Sequence, residues 1–469
     1  MDHHSSRSIG SILSFLTHSA YFSAKAFAVN RVKYGREYRA RGIELEQSER
    51  MNADELHALQ EKKLRRLIEH AVANVPYYQH LFESLHLTPA DIRTVKDLKK
   101  IPILTKEVLR AQSEMFIARN IPKAALASGW TTGSTGMPIN ALRDRRSIVF
   151  ESSSIWRQRS VAGVTPRDRK VAVWGTIWND TIVSSSQDRP PYWRYNAADR
   201  QLLFSYYHMS EETLQLYVDR LKTFRPTFIE GFPSTILVLA EFMKKRGIVI
   251  PLRAVFTSSE RLYDVHRAVI EESFQAKVFD LYGQSERVVL ATECEAHAGL
   301  HVNPEYGVLE LLHKGEDVAP GESGEIIGTG LNNFAMPLIR YRTGDVATLA
   351  ESGCACGRAS TLLKYVEGRS ADLIVTPEGR IIPGNGVMIA LHGIENVART
   401  QIVQDAVDHL TIRVIKENRE AGIDDRTIVQ NLRTCVGDRV RIDVETVDAI
   451  DNHGQPKLRW VVSTIHNGY

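Results

Sequence analysis

LRAVFTSSERLYDVHRAVIEESFQAKVFDLYGQSE, residues 252–286, reads as a strand, a helix and a second strand in succession. LRAVFTSS is the first strand, YDVHRAVIEESF has helical spacing, and AKVFDLYG is a strand again. The same alternation extends upstream. DRKVAVWG is a strand candidate ending in glycine, ETLQLYVDRLKTF has helical spacing, and PTFIEGFP is a short strand ending in a turn. STILVLAEFMKKRG then reads as a helix closed by Gly247. Strand–helix alternation of this kind predicts a mostly parallel sheet covered by helices. Ligands in such sheets bind at the carboxyl ends of the strands. FTSSE and DLYGQSE fall at those ends.

The bulk composition is compatible with this reading. The chain has 469 residues, too many for one simple core, so two or more domains are expected. Hydrophobic residues make up 43% and charged residues 25%, as in ordinary globular proteins. A formal net charge of +3 is small for this length and gives no case for nucleic-acid binding. Four cysteines do not make a disulfide scaffold; they point to a reducing, cytoplasmic setting with thiols free for packing or metal. No run of 18 apolar residues suggests a membrane-spanning helix. SIGSILSFLTHSAYFSAKAFAV near the N-terminus is interrupted by His18 and Lys25 and has no convincing cleavage site. It predicts an amphipathic helix packed on its own protein, with peripheral membrane contact as the alternative.

Residues 53–75 predict a helix through Leu56, Leu59, Leu64, Leu67, Ile68 and Val72, broken at Pro76. From about residue 300 the texture changes to short strand-like runs with Gly and Pro turns, predicting a distorted β-barrel or meander. VEGRSADLIVTPEGRIIPG suggests a hairpin around PEGR, and the last hundred residues read as a small α+β lobe. The expected fold is therefore α/β: a large region, residues 1–368, with helix-covered, mostly parallel sheets plus the distorted barrel, and a small mobile domain, residues 369–469, beyond a linker near 369–372.

Several short segments carry chemistry. SGWTTGSTGMPIN, residues 128–140, alternates glycines and hydroxyls with no apolar period. It is not a Walker phosphate loop, because Gly133 and Gly136 are too close and no Gly-Lys-Ser/Thr follows. The hydroxyls of Thr131, Thr132, Ser134 and Thr135 could still wrap a triphosphate, or the segment could be a plain surface loop. In LYGQSE, Tyr282 could stack on a base and Glu286 could hold Mg²⁺ with substrate phosphates, or serve as a strand-end aromatic and a solvated acid. Asp345 in YRTGD could accept bonds from ribose hydroxyls, although aspartate is common in turns. Arg369 in EGRS adds a cation suited to ribose or phosphate, or is a hairpin arginine. Cys354-x-Cys356 followed by Gly-Arg forms a tight turn, and ECEAHAGLH upstream supplies Cys294, His297 and His301. A Cys₃His set from these would satisfy a closed, structural tetrahedral zinc; three reduced thiols are the alternative. Cys435 sits in a helix-like segment and is expected to pack. Trp156, Trp174, Trp178, Tyr207 and Phe232 could line a pocket for a ring or apolar chain, or fill the core.

The order TTGSTGMP, FTSSE, LYGQSE, RYRTGD, EGRS resembles the adenylate-forming enzymes, the acyl-CoA synthetase superfamily. Within it, VPYYQHLF, MPLIRYRTGD and CACGR are similar to the phenylacetate–CoA ligase branch, and YGREYRARG and PKLRWVVS to its CapK-like subgroup, named for capsular-polysaccharide biosynthesis. The resemblance implies that Thr131, Thr132, Gly133, Ser134, Thr135 and Gly136 hold the β- and γ-phosphates of ATP. It implies that Ser258, Ser259 and Glu260 line the adenine pocket with Tyr282 and Gly283 against the base. It further implies that Glu286 binds Mg²⁺, that Asp345 holds the ribose with help from Arg369, and that Lys457 reaches the α-phosphate and the carboxylate. It favours His301 over His297 as the fourth zinc ligand.

Two positions depart from the pattern. Ile139 stands where many members have Lys, and Ala371 where an acidic or lysine hinge residue is common. The activity implied is a cytoplasmic ATP- and Mg²⁺-dependent ligase that converts a carboxylic acid to an acyl-adenylate and passes the acyl group to a thiol such as coenzyme A. An amine acceptor on a sugar or amino acid, and a non-catalytic nucleotide-binding relative, are the competing readings.

Overall fold

The computed structural model describes residues 2–129, 139–174, 176–177, 180–183, 189–209, 211–369, 373–377, 381–383, 391, 394–450 and 461–465. The strand–helix alternation is realised as expected. Strands Lys170–Trp174, Phe228–Gly231, Ala254–Ser258 and Lys277–Gly283 run parallel, with Gln201–Ser205 parallel on the outer side of the first. Helices Leu214–Phe224, Pro233–Lys245 and Asp264–Phe274 cover one face. Their apolar stripes close on Val171, Ile229, Val255 and Val278, which alternate with residues facing the other side. Helix Arg145–Val161 covers that other face, where Trp156 meets Phe228, Phe256 and Phe279. This helix buries Ser152, Ser153 and Ser154 because each hydroxyl donates to the carbonyl four residues back.

The antiparallel half is hydrogen-bonded into the same sheet. Lys277–Gly283 pairs antiparallel with Leu290–Glu293, followed by Leu300–Val302, Leu362–Arg369, Tyr341–Leu349, Ser323–Gly330, Gly307–His313 and Glu316–Asp317; with Trp193–Asn196 antiparallel to Gln201–Ser205 at the other edge, the described residues form a 13-stranded sheet. Helix Ala53–Asn74 packs Leu64, Leu67, Ile68 and Ala71 on this half, each fully buried. Burying one such leucine contributes about 1.5–3 kcal/mol. The helix starts at a capping box: Asn52 Oδ1 accepts from the Glu55 amide at 3.0 Å and Glu55 returns an acceptor to the Asn52 amide at 2.9 Å. It ends at Asn74, but Pro76 does not end helical structure. Pro76 takes the first position of helix Pro76–Ser84, where its missing N–H costs nothing. Tyr78 of that helix is buried and donates to the Pro337 carbonyl at 3.1 Å, fixing the segment that leads into RYRTGD.

The N-terminal segment is a helix, Asp2–Lys33, that packs on its own protein through Ser19, Phe22 and Ala26. Its Ser19 and Ser23 hydroxyls accept from the Tyr195 and Ala197 amides at the edge of the sheet. No helix among the described residues is long and apolar enough to cross a membrane.

Near the C-terminus, Val397–Ala406 and His409–Lys416 form a hairpin, extended by Arg441–Thr446 and Val461–Ser463 and backed by helix Asp425–Val436. Ile402, Leu410, Ile412, Ile428 and Leu432 make a core of their own. The hairpin expected around PEGR is present as Leu373–Val375 paired with Ile381–Pro383, and Gln404 bonds both backbone groups of Val375. Residues 370–372 of the expected linker, Ala371 included, and the Cys435 side chain lie outside the described residues.

At the hairpin turn, His409 sits between two carboxylates, 2.8 Å from Asp443 and 2.8 Å from Asp405. The bond to Asp443 and then the one to Asp405 raise its pKa above the usual histidine value. A raised folded-state pKa stabilises the fold fully below the unfolded value of about 6.5 and loses that contribution as pH rises through the folded value. The stability difference between wild type and His409→Asn should therefore shrink from pH 6 towards pH 8. Urea unfolding of both proteins across that range checks the sign; a gap that widens with pH would contradict it.

Candidate active site

The parallel strands present their carboxyl ends on one side, and the residues expected to act together converge there. Tyr282, at the end of Lys277–Gly283, donates its hydroxyl to Asp345 Oδ2 at 2.7 Å. Gln284 donates to the same hydroxyl at 3.1 Å. Burial, and then the negative charge of Asp345, push the Tyr282 hydroxyl well above its ordinary pKa, so it remains a donor. Asp345 lies opposite Arg369 in the antiparallel register, which places the ribose pair implied by the sequence on adjacent strands. The Arg369 side chain is outside the described residues. Gly344, next to Asp345, has φ +78°, a conformation that lets the chain turn the aspartate towards Tyr282 without a Cβ penalty.

Glu286 is buried, and its Oε1 accepts from the Tyr341 hydroxyl at 2.8 Å. Tyr341 belongs to the same RYRTGD segment. The preceding Arg340 anchors that segment by a buried fork onto Glu310, with bonds of 2.8–3.2 Å, and by a bond to the Ile101 carbonyl at 2.6 Å. Two segments far apart in sequence, LYGQSE and RYRTGD, are thus locked by two tyrosine–carboxylate bonds.

Ser258 and Ser259 sit at the end of Ala254–Ser258, with hydroxyls 3.5 Å apart and Ser259 at φ +72°. Glu260 Oε2 accepts from the Ser234 amide at 3.1 Å, so this side chain also holds the start of helix Pro233–Lys245. Its neighbour Arg261 reaches across to Glu367 at 2.8 Å and lies over the Tyr365 ring, tying FTSSE to the strand that carries Arg369.

The glycine–hydroxyl loop, with Thr131, Thr132, Gly133, Ser134, Thr135 and Gly136, lies outside the described residues, as do Trp178, the Tyr207 side chain and Lys457. The base of the loop is described. Ala127 and Arg143 exchange both backbone bonds at 2.9 Å, and the Ala141 amide donates to the Gly129 carbonyl at 3.0 Å. Ile139 is buried in the main core, where an ammonium would be unsolvated. Trp174 and Phe232 pack edge to face at 4.5 Å at the ends of their strands, while Trp156 is core, with its indole N–H on Tyr34.

Three neighbours of the site were not among the expected residues, although Tyr341 and Asp280 lie inside the quoted RYRTGD and DLYGQSE segments. Tyr341 holds Glu286. Asp280, two residues before Tyr282, accepts from Thr257 at 2.7 Å, and burial followed by the charge of Glu293 raises its pKa to about 7. Arg143 donates to the Ser285 carbonyl at 2.5 Å; burial and then Arg287 lower its pKa to about 10.

A second cluster lies where strands Leu290–Glu293 and Leu300–Val302 meet the turn at 354–357. Cys294, His301, Cys354 and Cys356 place their ligand atoms within 4.8 Å of one another. Cys294 Sγ is 3.6 Å from Cys354 Sγ, and Cys356 Sγ is 3.3 Å from His301 Nε2. Zn–S bonds of about 2.3 Å in a tetrahedron put sulfurs about 3.8 Å apart, so the donor set fits zinc. Ser360 lies 3.1 Å from His301 Nδ1 and leaves Nε2 facing the thiols. His297 turns away, with its ring 4.6 Å from that of Phe279 and Nδ1 3.4 Å from Glu293.

The arrangement has the architecture of the adenylate-forming ligases. Residues 374–464 match the family model of the CapK C-terminal domain. Protein CapK of Staphylococcus aureus is 26% identical over 431 residues, covering 88% of this chain and 90% of that protein. The phenylacetate-coenzyme A ligase of Thermus thermophilus is 26% identical over 365 residues, covering 76% and 79%. The crystal structure of 2-hydroxyisobutyryl-CoA ligase in the postadenylation state with 2-HIB-AMP shares the fold, with a TM-score of 0.69 at 21% identity over 89% of this chain and 91% of that one. The chain is thus similar in sequence to CapK and to the phenylacetate-coenzyme A ligases, and it shares the fold of an adenylate-forming CoA ligase.

Proposed function

We propose that this protein uses ATP to convert a carboxylic acid to an acyl-adenylate and then transfers the acyl group to a thiol, coenzyme A in the first instance. The observation that carries this reading is the convergence of Tyr282, Asp345 and Glu286 at the carboxyl ends of the parallel strands, locked by Tyr282–Asp345 and Tyr341–Glu286. In this reading Asp345 and Arg369 hold the ribose, Tyr282, Gly283, Ser258, Ser259 and Glu260 bound the base, and residues 131–136 hold the outer phosphates. Mg²⁺ on Glu286 would neutralise charge on those phosphates. The carboxylate oxygen attacks the α-phosphorus, pyrophosphate leaves, and Lys457 faces the growing negative charge. Positioning and charge neutralisation supply most of the rate. Residues 369–469 would form the mobile small domain that alternates between the two half-reactions, in a cytoplasmic enzyme.

Carboxylate-dependent ATP–pyrophosphate exchange across a panel of acids tests this directly. Exchange with at least one acid is expected, and aromatic or apolar acids are the first to try because of the Trp174–Phe232 pair. Adenine-nucleotide binding without exchange for any acid would favour a non-catalytic relative.

An amide-forming reaction is the second reading. Indoleacetate–lysine synthetase of Pseudomonas savastanoi is 26% identical over 259 residues, covering 54% of this chain and 60% of that protein. Product analysis with coenzyme A and with amines separates the two acceptors.

The same reading includes a structural zinc on Cys294, His301, Cys354 and Cys356. Four protein ligands leave no open position, so the ion would brace the turn at 354–357 against strand Leu300–Val302. Protein purified without added chelator should contain about one zinc per chain, and Cys354→Ser should lose the metal and several degrees of melting temperature. Metal-free protein with unchanged stability would exclude the site.

A further inference from the structure

Arg143 occupies a position that no motif accounts for. It is the residue through which the two arms of the glycine–hydroxyl loop meet, because its backbone pairs with Ala127. Its side chain crosses directly over Gly129: a Cβ built there would lie 2.2 Å from the Arg143 Cζ. The guanidinium then reaches the carbonyl of Ser285, the residue immediately before Glu286. Its Nε is buried and has no partner among the described residues. On the far side, Arg287 pairs with Glu151, which also accepts from Tyr306, so the carboxylate nearest this cluster is already engaged.

We propose that Arg143 is a positioning residue for the triphosphate. It braces the described base of the loop, at Ala127 and Gly129, against the turn that carries Glu286, and so holds that acid where the ligase reading puts the outer phosphates. The proposal rests on the ligase reading above. It also accounts for two features of the sequence. Gly129 is glycine because any side chain would displace the guanidinium. Ile139 can be apolar because the cation at the base of the loop enters four residues later on the same arm.

The brace predicts a specific defect. Losing it should weaken interactions with the outer phosphates and leave those with the nucleoside intact. The experiment compares wild type with Arg143→Met, Arg143→Lys and Gly129→Ala. Binding of Mg·ATP and of AMP is measured by calorimetry, and ATP–pyrophosphate exchange is followed as a function of ATP. Arg143→Met should weaken Mg·ATP at least tenfold, with AMP affinity and melting temperature close to wild type, and should raise the KM for ATP. Arg143→Lys should recover only part, because an ammonium restores the charge but not the planar guanidinium that spans Gly129 and the Ser285 carbonyl. Gly129→Ala, with its native Arg143, should reproduce the phosphate-selective loss.

Equal loss of AMP and Mg·ATP affinity, or no loss of either, overturns the brace while leaving the ligase reading standing. If Arg143→Met fails to fold, Arg143→Lys and Gly129→Ala decide on the same ratio of affinities. A wild type that binds neither nucleotide overturns both readings.

Discussion

Glu286→Gln is expected to reduce carboxylate-dependent ATP–pyrophosphate exchange to near background while the protein stays folded. Glutamine keeps an oxygen that accepts the Tyr341 hydroxyl, which lies 2.8 Å from Glu286 in the wild type. The local packing therefore survives, and the substitution removes only the charge. A hard cation held with phosphates depends on that charge, and the developing charge on the leaving pyrophosphate depends on the cation. Loss of a transition-state charge contact costs about a hundred- to thousandfold in rate. Removing the site of the ion itself should cost at least that much. The measurement is exchange activity at saturating acid beside a thermal melt. Near-wild-type exchange would show that Glu286 is not the metal-bearing acid.

Lys457→Ala is expected to separate the two half-reactions. Negative charge grows on the α-phosphate and pyrophosphate during adenylation, where Lys457 is assigned, whereas AMP is only a leaving group when the thiol attacks. A contact of this kind contributes about 3–4 kcal/mol, or a hundred- to thousandfold in rate. The variant should therefore be slow in exchange yet transfer acyl from supplied synthetic adenylate to coenzyme A at close to the wild-type rate. Equal loss in both steps would remove the argument that residues 369–469 turn between reactions.

The two variants probe different parts of the chain. Glu286 lies in a network visible at every bond, with Tyr341, Arg340 and Glu310 behind it. Lys457 is assigned by motif alone, in PKLRWVVS, one strand-length before Val461–Ser463. That strand pairs with Ile402–Gln404 in the core of the small lobe, while Lys457 itself lies outside the described residues.

The chain alone determined the alternation of strands and helices from residue 170 to 283, because side-chain periodicity is a local property of the backbone. It determined the order of the chemical motifs, and with it the branch of the superfamily, for the same reason. What it could not determine depends on pairing between distant strands. By spacing alone His297 and His301 are equivalent, and only the resemblance favoured His301. Strand Leu300–Val302 pairs antiparallel with Leu362–Arg369, and that register carries His301 to the Cys354–Cys356 turn. His297, at φ +50° in the preceding turn, is left against Phe279 and Glu293. Tyr341 and Arg143 were invisible for a related reason. Tyr341 sits in RYRTGD without a role of its own there and Arg143 lies outside any motif, and each acquires its role only when the fold brings it to Glu286 or to Ser285. The break at Pro76 was legible in the sequence, whereas the new helix that starts there shows only in the packing of Tyr78 and Phe82 into the core.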